Sequence, residues 1–486
     1  MKFNKILLLF LYLFLILLEL SFCAKHTKEE WKSRSIYQIV TDRFAKEEED
    51  STIQCNNLSK YCGGTFNGIK KNLDYIAGMG FNAIWISPPL KNKEGSYHGY
   101  HNIDLYSINE NFGTESDLKN LIKECHKKDI WVILDAVPNH MAGDIDISNF
   151  IPFNKDEHYH EDCGSIENPT QKQKEDCRIW GMPDLKQENA YVNTTLINWI
   201  KDMIKNYDFD GVRYADVPNV PKWFWGNFTK AANTYTLGII SSNDASYISD
   251  YQNYMDGVGD YPLFYAIREG FSGSMEQLSN YHKNIHEKYI NPVFNGIWLG
   301  NHDNARFLNE CKSKNSLRNA IIFTLFYEGI PIFYYGDEQY FNGGNDPQNR
   351  EIMFGQHDTS SDAYQMIKIA NKIRKSEKIY DENLIEVYAD ENLYVFRRGK
   401  VLIIVSNSVE EIEKNLIKHK FDEGQELCNK LIVNENDCIT VTDGELKIKI
   451  KGEPKLYVVE NSSDNGLKSN TIYNYLYLFL LFIIAF

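Results

Sequence analysis

Residues 208–221 read DFDGVRYADVPNVP, a short apolar strand running into a loop, with Arg213 and an acid near the strand's end. Brought together there, an arginine and a carboxylate would form the charged heart of an enzyme site. Strand residues alternate faces, so Arg213 and Ala215 share one face and Asp216 is expected on the other. The acid would be wanted at 215, and alanine stands there. Two more stretches place polar residues after apolar runs, Asp135-Ala-Val-Pro-Asn-His140 and Asn301-His-Asp303. Carboxylates at such points can attack as nucleophiles or pass protons. Any one of the stretches alone could equally be a loop cap.

The elements that must position these residues come from hydrophobic periodicity. Strands are expected at 36–40, 83–86, 131–135, 211–214, 236–240, 254–258, 296–299 and 332–335. Helical stripes lie between them, such as Leu118, Leu121, Ile122 and Cys125, or Ile197, Ile200, Met203, Ile204 and Tyr207. Thr114-Glu-Ser-Asp117 is a capping-box opening for the first of these. Eight strands interleaved with helices predict an α/β fold, a (β/α)8 barrel over 31–139 and 186–383, whose chemistry would sit at the carboxyl ends of the strands. Residues 140–185 break the alternation and are too long for a structureless loop, so they read as a small domain inserted after the third strand. From 384 to 460 the period becomes two, which predicts an all-β C-terminal domain.

The chain has 486 residues, 43% apolar and 24% charged, an ordinary balance for a folded protein. The formal charge of −15 excludes a nucleic-acid partner, which would want clustered Lys and Arg. Residues 1–23 carry Lys2 and Lys5, an apolar run at 6–18 and Ser21-Phe22-Cys23, the pattern of a secretory signal peptide cut before Ala24. Residues 461–486 hold small residues, a polar spacer and a terminal apolar tail too short to span a bilayer. These are the three parts of a GPI-attachment signal, a retained hydrophobic tail being the other reading, and the expected location is secreted or on the outer face of the plasma membrane, with a lipid anchor in the membrane.

Secretion makes cysteines disulfide candidates. With Cys23 removed, eight remain; Cys55 and Cys62, Cys163 and Cys177, and Cys428 and Cys438 are local neighbours. Cys125 and Cys311 are left over, and Cys125 fits a buried thiol on a helix. Glycosylation triplets begin at Asn57, Asn193, Asn227 and Asn461.

Together the motifs resemble the α-amylase family, glycoside hydrolase family thirteen, and most closely its secreted fungal type. The resemblance rests on Ser35-Ile-Tyr37, Thr41-Asp-Arg-Phe44, Tyr61-Cys-Gly-Gly64, Gly78-Met-Gly-Phe81 and Tyr97-His-Gly-Tyr100. It continues through Met255-Asp-Gly-Val258, Asn301-His-Asp-Asn304, Gly343-Gly-Asn-Asp-Pro347 and Asn349-Arg-Glu351. It implies a catalytic (β/α)8 barrel, an inserted calcium-binding B domain and an antiparallel β-sandwich C domain. It also implies α-1,4-glucan hydrolysis with retention by a nucleophile and a proton donor. The third, transition-state-stabilising acid matches Asp303, and Arg213 matches the arginine that orients the nucleophile.

The nucleophile itself aligns with Ala215 and the acid with Ile239. No Glu lies between Glu188 and Glu269, so no shift of alignment restores the acid. Asp216 is a possible substitute nucleophile, and Asp244 a distant substitute acid. His98, Tyr100, His140, Arg213, His302, Asp346 and Arg350 match sugar-contacting positions, while His101 replaces a family tryptophan. By the same resemblance, Asn139, Glu175, Asp184 and the carbonyl of Asn219 would hold a structural Ca²⁺. The leading expectation is a catalytically impaired α-amylase-like protein that binds α-glucan or oligosaccharide. The alternatives are an active α-amylase using Asp216 with an atypical acid, and a protein-interaction module on an amylase scaffold.

Overall fold

The computed structural model describes residues 25–48, 55–178, 181–431 and 437–460. The expected signal peptide and GPI signal lie outside these residues. Eight short parallel strands form the centre: β1 (Ile36–Gln38), β2 (Ala83–Trp85), β3 (Trp131–Ala136), β4 (Gly211–Tyr214), β5 (Tyr235–Gly238), β6 (Gly257–Val258), β7 (Gly296–Ile297) and β8 (Ile330–Tyr334). Ile36 pairs with Ala83 on one side and Ile332 on the other, so β1 sits between β2 and β8. From β2 the ladder runs in chain order to β6. Between β6 and β7 a parallel bridge from Gly259 to Gly296 closes the ring. The result is a (β/α)8 barrel.

All eight expected strands exist, and five of them (β1, β2, β5, β6 and β7) are shorter than the apolar runs that announced them. The sixth keeps only Gly257–Val258, because Tyr251–Asn253 is a 3-10 turn and Asp256 spends its carboxylate on Thr236 N and Oγ1, at 3.0 and 3.1 Å. The seam between β6 and β7 is tight. A Cβ on Gly259 would lie 2.5 Å from the Trp298 ring and 2.8 Å from Ile239 Cδ1, so backbone and bulky side chains meet there only through glycine.

Helices cover the barrel with the predicted stripes. Helix Glu115–Lys127 starts at a capping box between Thr114 and Asp117 and buries Leu118, Leu121, Ile122 and Cys125. A hairpin that periodicity did not announce, Leu90–Asn92 with Asn102–Ile108, follows β2. Its turn carries Tyr97, His98 and Tyr100 toward the carboxyl ends of the strands. After β3 comes the insertion, a loop-rich segment with one short α-helix among its described residues, Gln171–Asp176, pinned back by bridges such as His140 to Asp184 and Tyr159 to Leu185.

The C-terminal domain is antiparallel, a six-stranded sheet and a two-stranded sheet enclosing a separate apolar cluster that includes Val395, Ile404, Ile448 and Tyr457. Arg398 fastens it to the barrel by donating to the carbonyls of Phe326, Ile379 and Glu382 at 3.0, 2.8 and 2.7 Å. Cys55–Cys62, Cys163–Cys177 and Cys428–Cys438 are disulfides, and Cys125 is a buried free thiol. Among the described residues no helix is long and apolar enough to cross a membrane.

Candidate functional site

The carboxyl ends of β3, β4 and β7 and the hairpin turn converge on one cleft. Its floor is a hydrogen-bonded frame centred on Asp135, the last acid of β3. Arg213 from the adjacent strand donates through Nη1 to Asp135 Oδ1 at 2.8 Å, and both side chains are buried. Trp85 Nε1 and the Tyr100 hydroxyl donate to Oδ2 at 2.9 and 2.6 Å. Burial lowers the Arg213 pKa, but Asp135, Tyr100 and Asp303 together outweigh it, raise the pKa and hold the guanidinium charged. Asp135 was legible only as part of a motif; its role in fixing Arg213 comes from register, since β3 and β4 pair it directly with residue 213.

His302 extends the frame. Tyr100 stacks on its ring at 5.4 Å with an interplanar angle of 11°, and the hydroxyl lies 2.9 Å from Nε2. Gln38 Nε2 meets Nδ1 at 2.6 Å, so both ring nitrogens are engaged. Burial pushes the His302 pKa down to about 4, which keeps the imidazole neutral. Beside it, the Asp303 carboxylate faces the cleft with 46% of its side chain exposed. Burial raises its pKa, but His302, Arg213 and Arg350 together hold it below the usual carboxylate value. It stands as an anion among donors, available to hydroxyl groups.

Asp216 does not follow strand alternation. β4 ends at Tyr214, and residue 216 takes the left-handed conformation at φ 51°, ψ 36° without a glycine's freedom. The carboxylate therefore turns back to line the same cavity as Arg213, Ala215, His140 and Asp303, about 490 Å³ in volume. His140 Nδ1 lies 3.5 Å from its Oδ2. The expectation that Asp216 points away is corrected by this turn.

Ile239 continues β5 by one ladder bond, its amide donating to Tyr214 O at 3.1 Å. Its side chain is 9% exposed and shares a small apolar chamber with Trp85 and Trp298, bordered by Arg213 and Asp303. Asp244 is elsewhere, an exposed N-cap accepting from Ser246 N and Tyr247 N at 2.9 and 3.3 Å. It is not brought to the cleft. Trp298, which gives the chamber its apolar wall, went unread in the sequence because it looks like any strand residue.

The remaining sugar-position residues form the rim. Arg350 donates from Nε to His302 O at 2.9 Å and from Nη1 to the Tyr97 hydroxyl at 3.0 Å. Asp346 pairs with Arg350 at 3.2 Å. His98 lines the inner wall with Arg350 and Tyr100, and burial together with His101 lowers its pKa. Across the opening, the insertion contributes Lys174 and Ile166 to a cleft of about 1430 Å³ that also reaches Asn219, Ile239 and Asp303.

Polar contacts join the insertion to the barrel at two places. Asn139 and Asp184 sit on paired backbones, with Leu185 N donating to Asn139 O at 2.7 Å. Asn139 Oδ1 is buried with no hydrogen-bond partner, and Asp184 is held by His160 at 2.6 Å. Glu175 reaches the same junction through Gln171, whose Nε2 donates to Glu175 Oε1 at 2.6 Å and to Pro218 O at 2.9 Å. Asn219 follows Pro218 and is buried. The orphaned Asn139 oxygen, with Asp184 on the backbone bridged to the next residue, offers the kind of oxygen donor that suits a hard cation.

A (β/α)8 barrel with an arginine–carboxylate frame, a loop-rich insertion after β3 and an antiparallel C-terminal domain defines the architecture of glycoside-hydrolase barrels. The model of the α-amylase catalytic domain matches residues 38–379. The chain is 34% identical over 461 residues to an α-amylase of Saccharomycopsis fibuligera, covering 88% of this chain and 92% of that one. It is 38% identical over 384 residues to α-amylase 2 of Schwanniomyces occidentalis, covering 75% and 76%. The solved α-amylase of Malbranchea cinnamomea superposes with a TM-score of 0.85 at 32% identity, covering 89% of this chain and 97% of that one. The chain belongs to the α-amylase family.

Proposed function

We propose that this chain binds α-glucan in its cleft and has lost the hydrolytic chemistry of its family. One observation carries the reading. Where retaining chemistry needs two carboxyl groups about 5–5.5 Å apart, the cleft presents the methyl of Ala215 and the apolar side chain of Ile239. An alkyl group neither attacks nor donates a proton, and a general acid alone is worth about 10²–10⁴ in rate. Charged and aromatic groups that would hold sugar remain in the cleft. Asp303 accepts from hydroxyls, Arg350 and His98 line the inner wall, and Tyr100 is fixed by Asp135 and His302.

In this reading Asn139, Glu175, Asp184 and the Asn219 carbonyl hold Ca²⁺, which ties the insertion to the barrel and takes no part in chemistry. The N-terminal and C-terminal segments direct the chain to the outer surface, with a lipid anchor.

A second reading has one observation in its favour, the inward turn of Asp216 beside Ala215. In that reading Asp216 attacks and the chain hydrolyses α-glucans with an atypical acid. Paired measurements separate the readings: calorimetric binding of maltoheptaose, and release of reducing ends from soluble starch. Binding without release is the expected result. Release that Asp216→Asn abolishes would establish the second reading. Neither binding nor release would leave a protein-interaction module on the amylase scaffold.

A further inference from the structure

Three of the four glycosylation triplets fall within the described residues, and the fold treats them differently. Asn193 is partly buried, and its Nδ2 faces inward at 3.2 Å from Gln187 O. A sugar on that nitrogen would be driven into the first turn of helix Ala190–Tyr207. Asn57 is exposed in a turn, where its Oδ1 accepts from Ser59 N at 2.9 Å. Asn227 is exposed on the outer face of helix Lys222–Ala232, and its side chain makes no hydrogen bond to the described residues.

One turn before Asn227 on the same helix stands Trp223, 48% exposed. Residues four apart on a helix are surface neighbours, about 5–6 Å between Cβ atoms. Phe224, Trp225 and Phe228 of this helix are buried against the barrel, while Trp223 is left outside with an open ring. A large aromatic ring in water is a poor solvent surface, and its face suits the C–H face of a pyranose. The first sugar on Asn227 Nδ2 would lie within reach of that ring.

We infer that Asn227 carries an N-linked glycan whose first sugar packs on Trp223. The inference rests on passage through the secretory route, not on the proposed glucan binding. In the transfer, Nδ2 of Asn227 forms a bond to the anomeric carbon of the first sugar of a lipid-pyrophosphate-linked oligosaccharide. That carbon's bond to the pyrophosphate oxygen breaks, and the lipid pyrophosphate leaves with the bonding pair. The amide proton goes to the solvent.

The test uses the full chain secreted from a eukaryotic host. Peptide-N-glycosidase digestion in heavy-oxygen water converts each occupied asparagine to a labelled aspartate, read by peptide mass spectrometry. Label at 227 and none at 193 is expected; an unlabelled 227 overturns the inference. Hydroxyl-radical footprinting then reads the ring. Oxidation of Trp223 is expected to rise severalfold in Asn227→Gln relative to the glycosylated chain, and to stay low when the glycan is trimmed to its first sugar. Equal oxidation in all three forms, or full exposure after trimming, overturns the packing of that sugar on Trp223.

Discussion

Arg213 reaches across from β4 to Asp135 on β3, with Nη1 2.8 Å from Oδ1 and both groups sealed from water. Removing one partner of such a pair leaves a buried charge and costs about 3–5 kcal/mol. Asp135→Ala should therefore lower the denaturation midpoint sharply. Because Trp85 and Tyr100 lose their acceptor as well, the aromatic wall of the cleft should loosen and maltoheptaose binding should fail. A variant as stable as the parent, with binding intact, would remove this pair from the frame.

On the proposed reading, supplying two acids should install the chemistry of the family. Ala215→Asp with Ile239→Glu is expected to release reducing ends from soluble starch, and neither single change should suffice. A glutamate at 239 would enter the apolar chamber beside Trp298, where desolvation raises a carboxyl pKa and suits it to proton donation. A folded double variant that binds glucan without cutting it would show that more than two groups were lost.

Glu338 gives stability a pH dependence. It is fully buried, and burial pushes its pKa up to about 7 from 4.5, against the hydrogen bonds of Tyr37 and Tyr75 at 2.5 and 2.9 Å. Between those values the native chain holds a proton that the unfolded chain releases. This contribution is full below about pH 4.5 and is lost as pH rises toward 7. Asp42 and Asp337, both pushed by burial to about 6, act in the same direction. Glu338→Gln should flatten the fall in urea midpoint between pH 5 and pH 8, whatever it does to the absolute stability. An unchanged slope would exclude Glu338 as its source.

Calcium should act on stability rather than on any reaction. Ligand at about 100 times its dissociation constant adds about 2.7 kcal/mol to a folded state. The melting temperature should fall with a calcium chelator and recover with added Ca²⁺. In Asn139→Ala, which deletes the orphaned Oδ1, it should respond to neither. A chelator with no effect on the parent would dismiss the site.

The barrel was legible because strands buried on both faces read as short apolar runs, and helices between them keep a 3.6 period. The proposal that Ala215 and Ile239 stand where the family has acids rests on other ground, the neighbouring stretches that pin the alignment. Asp216 was not legible. Alternation holds only while a strand lasts, and β4 stops at Tyr214, after which one left-handed residue reverses the side chain's direction. The hairpin bearing Tyr97 and Tyr100 was hidden too, because its register slips at Leu90 and Lys91 and blurs any period of two. Asp135's bond to Arg213 needed the pairing of two strands far apart in the chain, which no local pattern encodes.

Each of the three disulfides among the described residues spans little chain, with separations of 7, 14 and 10. None joins the barrel to the C-terminal domain, which Arg398 and its carbonyl partners hold instead. Reduction would leave the domains attached and act locally. Cys163–Cys177 closes over the helix that puts Lys174 in the cleft wall and Glu175 beside Gln171 at the barrel junction. Thiol conditions would thus register in this chain as a change in the cleft wall, while the scaffold beneath kept its shape.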